Sequence, residues 1–395
     1  MEVPDYPFLD YERQALAPRL DALRGGERLA RVRLPYAGEA WLAVRYAHVR
    51  AVLSDPRFSR AAAMGPGVPR QSPEPPFGCT IMDLDRPEHG RLRRLVAPAF
   101  ADHRVEELRP FVRQAAAGLV SGLRAGPRPA DLVEALAQPL PMTVIARILG
   151  VPQEDRAMFR GWAEAVVLRR AVPQAEFGEA VLALESYLRG LVRHRRTRPS
   201  NDLLSVLVSA RDGSDRLTEP ELISFGLTVL AAGLETTASQ IANSAYLLLT
   251  NPVLWQRLLA DPGRLAATVD ELIRLIPLGG GAGLPRVATE DVELGGVTVR
   301  AGEAVFVSTI SANRDEETFP NANGFDDTRR HCPHLAFGYG AHRCLGERLA
   351  TIQIQEALLA LVSLVPGLVL GCAEDAVRWK SGSVVRGPLT LPVYW

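Results

Sequence analysis

Read along the chain, apolar and polar residues first alternate. Residues 28–33 (RLARVR) and 40–45 (AWLAVR) carry apolar side chains at roughly every second position on either side of Pro35–Gly38, which predicts two half-buried strands in a small hairpin. From about residue 90 the period lengthens. Segments 104–125, 129–149, 153–168, 174–196 and 219–249 repeat apolar residues at three-to-four spacing, with Pro, Gly or Asn between them, and are expected as helices. Strand-like alternation returns only at 286–308 and 376–394. The pattern predicts a mostly α protein with a minor β-sheet region assembled from distant segments. Because strands from both ends of the sequence must meet, residues 1–395 are expected to form one domain. No internal repeat interrupts this order.

The longest periodic segment opens at Thr218-Glu219-Pro220-Glu221, where Thr218 suits an N-cap, Pro220 the first turn and Glu221 a capping box. It runs to Asn251-Pro252, and at 1.5 Å per residue such a helix of roughly 30 residues would span about 45 Å, making it the spine of the fold. Its centre, Ala231-Ala232-Gly233-Leu234-Glu235-Thr236-Thr237, is unusual, since a mid-helix Gly costs about 1 kcal/mol against Ala. Close packing at a small-residue patch explains Ala232 and Gly233 but not an acid beside threonine. Residues 64–77 (MGPGVPRQSPEPPF) hold five prolines and two glycines and cannot continue a helix or a central strand. They read either as a surface connection or as a lid over a site.

Composition narrows the function. The 395 residues are 47% hydrophobic and 23% charged, enough to bury a large core. With 45 basic and 45 acidic residues the net charge is zero, so no global field favours nucleic acid or an acidic membrane. Lys380 is the one lysine and every other basic residue is arginine, a bias that points to a GC-rich bacterial genome. Cys79, Cys332, Cys344 and Cys372 follow no disulfide spacing, which suits a reducing compartment. The N-terminus lacks a basic n-region and an apolar h-region, and no stretch reaches 18 apolar residues without charge. A cytoplasmic, unanchored protein with no membrane and no nucleic-acid partner is expected, as a monomer.

The densest chemistry lies in His331-Cys332-Pro333-His334-Leu335-Ala336-Phe337-Gly338-Tyr339-Gly340-Ala341-His342-Arg343-Cys344-Leu345-Gly346. Five metal-capable side chains suggest a zinc module, His331 to Cys344, because Cys and His are its usual structural ligands. The Phe-Gly-x-Gly turn among them weakens that reading, for closed zinc sites usually come as two separated pairs. The other reading is a single axial thiolate, Cys344, offered to a haem iron by a glycine-permitted turn that enters a helix near Leu345. The glycine run Gly279–Gly283 fails G-x-G-x-x-G spacing and is not a nucleotide site.

F-G-x-G-x-H-x-C-x-G at 337–346 resembles the haem-binding signature of the cytochrome P-450 superfamily at every fixed position. A-G-x-E-T-T at 232–237 is similar to the oxygen-activating groove of that family's central helix, and Glu271-Leu272-Ile273-Arg274 to its E-x-x-R motif. Ala312-Asn313-Arg314-Asp315, Phe325-Asp326-Asp327-Thr328-Arg329 and Pro87-Glu88-His89 with Arg93 complete a likeness that covers essentially the whole chain. The resemblance implies the single-domain triangular fold of that family, with the long central helix over haem b. It implies Cys344 as axial ligand, Phe337, Gly338 and Gly346 around it, and His89, Arg93, Arg286 and His342 as partners of the haem propionates. Ala232 and Gly233 would leave room for dioxygen. Glu271, Arg274 and Arg329 would form a buried network holding the cysteine loop. Glu235 and Thr236 would relay protons through ordered water to dioxygen. Met82, Thr228, Ala231, Ala282, Leu284 and Val384, small or aliphatic, are expected against substrate.

The activity implied is a monooxygenase that hydroxylates or epoxidises a bulky, largely apolar natural product. The pattern of VRLPY at 32–36, residues 286–303 and ANRDEE at 312–317 is similar to actinobacterial members that tailor macrolactones, polyketides and terpenoids. Another haem-dependent function, such as ring coupling, peroxygenase-like chemistry or electron transfer, is the alternative within the class. Electrons are expected from a ferredoxin, its reductase and NAD(P)H, with Arg91, Arg94, Arg330, Arg343 and Arg348 as a candidate basic face for an acidic carrier.

Overall fold

The computed structural model describes residues 3–26, 29–72, 80–167, 173–212, 215–279, 283–381 and 385–395. Residues 73–77 of the 64–77 segment, and with them Cys79, Ala282 and Val384, lie outside the described residues. The chain divides into two compact units, each built from separated stretches. One comprises Met1–His89, Gly263–Cys344 and Trp379–Leu389, and the other Gly90–Pro262, Leu345–Arg378 and Thr390–Trp395.

The first unit centres on a five-stranded sheet. Leu29–Leu34 pairs antiparallel with Gly38–Ala43, which pairs in parallel with Ala304–Val307, and the sheet continues through Arg286–Ala288 to Phe58–Ser59. The hairpin expected from alternation is present; its first strand keeps Arg31 and Arg33 less buried than Val32 and Leu34, but from Ala40 the second strand is covered on both faces. Successive residues of Gly38–Ala43 enter opposite faces, with Leu42 joining Val32, Val44 and Phe306 in one apolar cluster and Ala43 joining Val49, Val305 and Val307 in another. Covering both faces are helices that the helical periodicity from residue 90 onward did not include, Pro18–Gly25 and Tyr46–Ser54. Each has fewer than ten residues, too few for a clear period.

The second unit is helical around the spine, Glu219–Leu249, whose start is the capping box read from sequence: Thr218 caps the Glu221 N–H while the Glu221 carboxylate takes the Thr218 N–H at 2.7 Å. Its apolar composition and length would also suit a membrane span, yet half of its most apolar window is buried in protein, as befits a core helix. Around it lie Arg109–Ala125, Arg156–Val167, Gln174–Thr197 and Glu347–Leu364. The segment expected as a helix over 129–149 differs. Ala130–Asp131 is a short strand pairing with Pro392–Tyr394 at the far end of the chain, Val133–Ala137 is a π-helical turn, and the α-helix begins only at Pro139. Asp131 explains the break, because its carboxylate takes the Leu391 N–H at 2.8 Å and the Val133 N–H at 2.9 Å.

Candidate active site

Cys344 ends a loop that the backbone itself closes. Its N–H donates to the Phe337 carbonyl at 2.9 Å, the Arg343 N–H to the Gly340 carbonyl at 3.1 Å and the Gly338 N–H to the Leu335 carbonyl at 2.9 Å. Gly338 and Gly340 both have positive φ, 73° and 71°. At Gly340 a Cβ would stand 2.7 Å from the Leu53 carbonyl oxygen, so the turn tolerates no side chain there. Gly346 then stands at the N-cap of Glu347–Leu364. The result presents the Cys344 side chain on the exposed surface of its unit, whereas Cys332 and Cys372 are partly buried. Burial, with Asp270 and Glu271 nearby, pushes the Cys332 thiol up to about 12, which keeps it protonated near pH 7. Among the described residues no three His, Cys, Asp or Glu side chains gather as a metal site. The zinc module is therefore not assembled: His334 turns to Asp270 at 3.3 Å and Cys332 to Glu271 at 3.8 Å.

The Glu271 network holds this loop. Arg274 is wholly buried and grips Glu271 with two bonds of 2.7 Å, while its other donors reach the carbonyls of Asn313, Ala322 and Gly324. Arg329 adds a bond to Glu271 at 3.2 Å and others to the Pro320 and Asn321 carbonyls. Asn313 passes the order on, its side-chain oxygen accepting the Leu335 N–H at 2.7 Å. Sequence spacing pairs Glu271 with Arg274, but the carbonyls that complete the cage come from a loop with no pattern of its own.

A second cluster in the same unit is cationic. The rings of His89 and His342 stack with centroids 4.1 Å apart. His89, Arg286 and Arg60 are all buried. Burial, with His89, Arg286 and Arg60 around it, pushes His342 down to about 3, so it is neutral near pH 7. Burial, followed by repulsion from Arg60, lowers Arg286 to about 10. Among the described residues, Arg286 finds only a long bond to the Phe58 carbonyl, 3.4 Å. A buried guanidinium so poorly satisfied, beside two imidazoles, calls for an anion, and the donor set fits the two carboxylates of a haem. Arg93 lies one turn beyond His89 on the helix Glu88–Val96. Arg60 was not foreseen, for one more arginine in an arginine-rich chain carries no signal of burial.

In the second unit the middle of the spine helix has an open face. Leu230 and Leu234 are buried, whereas Ala231 and Ala232 are exposed and Thr228, Glu235 and Thr236 half-buried. The Thr236 hydroxyl donates to the Ala232 carbonyl at 2.5 Å, which leaves its lone pairs free to accept. Gly233 also meets a neighbouring helix. Its missing Cβ would stand 2.9 Å from Ile145 Cδ1, so the spine helix and its neighbour approach closely at this glycine. Two of the five arginines expected on a docking face are spent inside this unit: Arg91 pairs with Glu221 and Asp215, each at 3.0 Å, and Arg348 with Glu106.

A family profile described as Cytochrome P450 matches residues 264–364. The chain is 47% identical over 391 residues to nocardicin C N-oxygenase of Nocardia uniformis subsp. tsuyamanensis, covering 99% of this chain and 98% of that one. It is 46% identical over 390 residues to mycinamicin IV hydroxylase/epoxidase of Micromonospora griseorubida, again covering 99% and 98%. A solved structure of a mixed-function P450 variant in complex with mycinamicin V aligns over 100% of both chains with a TM-score of 0.96 and 46% identity. The Cys344 loop, the buried cationic cluster and the Glu271 cage thus stand in a chain that belongs to the cytochrome P450 family, a haem-iron monooxygenase acting on a small molecule with dioxygen.

Proposed function

We propose that residues 1–395 act as one cytoplasmic catalytic domain that binds haem b, iron protoporphyrin IX, and hydroxylates or epoxidises a bulky, largely apolar natural product of macrolactone or related polyketide type. The observation that carries the substrate class is the 46% identity, over nearly the whole chain, to mycinamicin IV hydroxylase/epoxidase. When bound, the haem would supply dioxygen activation, and the sulfur of Cys344 would donate electron density to it. Cys344 holds the iron, with Phe337 shielding its sulfur, while His89, Arg93, Arg286 and His342 hold the carboxylates. Thr236, its own proton engaged at Ala232, accepts a hydrogen bond from a proton-bearing group. Glu235, the preceding residue, exchanges that proton with solvent through water. Thr228, Ala231, Met82 and Leu284 supply uncharged walls, the last two 41% and 47% exposed and so available to an apolar ligand. Electrons come from a ferredoxin reduced at the cost of NAD(P)H, and Arg94 and Arg330, both exposed, carry positive charge that suits an acidic carrier.

A second reading, N-oxygenation of an amino-acid-derived substrate, is favoured by the 47% identity to nocardicin C N-oxygenase. Titrating the haem-loaded protein with mycinamicin IV and with nocardicin C separates the two. The proposal expects a low-spin to high-spin shift at micromolar mycinamicin IV and none with nocardicin C. The opposite outcome moves the assignment to N-oxygenation.

A further inference from the structure

We infer that Arg60 is a positioning residue that fixes Met82 and Leu284 as one wall of the substrate site and so sets how large a ligand that wall admits. The inference rests on the reading of those two side chains as substrate walls given above.

Three stretches distant in sequence meet on this one side chain, which is 2% exposed. Its Nε donates to the Met82 carbonyl at 3.1 Å, its Nη1 to the Pro285 carbonyl next to Leu284, and its Nη2 pairs with Asp83 at 3.1 Å. Asp83 is itself buried and held by the Thr80 N–H at 3.1 Å and the Thr80 hydroxyl at 2.7 Å. Asp85 binds the other side of the junction, taking the Arg60 N–H at 3.0 Å, the Ala61 N–H at 3.1 Å and the Ser59 hydroxyl. The backbone at Met82 and at Pro285 is thereby tied to one rigid fork, while the Met82 and Leu284 side chains remain exposed.

Packing alone does not explain the choice. A buried cation beside a second buried cation, Arg286, is unfavourable, and an apolar residue would fill the space without that repulsion. What the guanidinium adds is geometry, because three acceptors from two loops are met in fixed directions. Lysine carries the same charge but cannot reproduce the fork.

The test uses the haem-loaded enzyme and two iron-binding probes, imidazole, which is too small to reach the walls, and clotrimazole, which is large and apolar. Arg60→Lys is expected to weaken clotrimazole about tenfold, the scale of one lost charge-assisted hydrogen bond, while leaving imidazole affinity and haem content unchanged. Asp83→Asn, which keeps Arg60 and loosens its anchor, should move clotrimazole in the same direction by less. It also serves if the Arg60 variant does not fold. An equal loss for both probes, or loss of haem, would assign Arg60 to haem anchoring and overturn the inference. Unchanged clotrimazole binding in both variants would do the same. Met82→Ala and Leu284→Ala provide the separate control. If neither alters clotrimazole binding, it is the wall assignment that fails, and the role of Arg60 falls with it.

Discussion

Cys332 and Cys344 share one loop and differ in everything that decides chemistry. Cys332 is driven toward its protonated form by burial and two carboxylates, whereas Cys344 is exposed on a turn locked by its own backbone. Cys344→Ser should therefore abolish the red-shifted Soret band of the reduced, carbon-monoxide-bound protein, and Cys332→Ser should retain it. A retained band in the first variant would refute axial ligation by Cys344. Gly340 tests the turn, since a methyl group there meets a fixed carbonyl at positive φ. Gly340→Ala should lower stability by about 2 kcal/mol and reduce haem incorporation, measured by urea unfolding and by the haem-to-protein ratio. At Thr236 the acceptor geometry predicts that Thr236→Ala keeps haem and substrate binding but diverts electrons to hydrogen peroxide. Product formed per NAD(P)H consumed is the measurement, and unchanged coupling would remove Thr236 from proton delivery.

Among elements, the helix Leu265–Leu275 carries a buried ion pair. Its last turn buries Glu271 and Arg274 together, and the pair survives burial because Arg329, the Asp326 N–H and three carbonyls complete its bonding. Glu271→Gln removes the charge that two buried guanidiniums face. It is expected to cost about 3–5 kcal/mol by thermal or urea unfolding and to release haem, whereas Cys332, which also touches Glu271, should be replaceable by Ser at little cost. The spine helix behaves differently. Its capping box and its long apolar run are local and legible, yet Gly233 packs closely against Ile145 on another helix, a contact no local pattern reveals.

Across the whole molecule, charge is balanced globally and paired locally. Glu106 joins Arg109 at 2.7 Å and also Arg348, and those hydrogen bonds, Arg109 first, hold its carboxyl down to about 2. A carboxylate depressed in the folded state adds stability above its ordinary range and loses it as pH falls toward the depressed value. Glu106→Gln should thus destabilise by a constant increment above about pH 5, and the difference from the parent should shrink as the pH is lowered toward 2. Parallel urea titrations across that range measure it, and an increment independent of pH would show the pairing to be inert. The sequence by itself determined what depends on neighbours along the chain. The turn that carries Cys344, the start of the spine helix, the i,i+3 pair Glu271 and Arg274 and the mostly helical class are all set by residue type at short spacing, where backbone geometry alone decides. Tertiary structure alone decided which partners distant segments bring. It placed Asp131 against Leu391 so that a strand and a π-helical turn replace expected helix, and it gave Gly233 a packing role. It also buried Arg60 among carbonyls from two loops. Burial and long-range hydrogen bonding are properties of the fold's wiring, and an arginine in an arginine-rich chain looks the same in sequence whether it faces water or holds a wall in place.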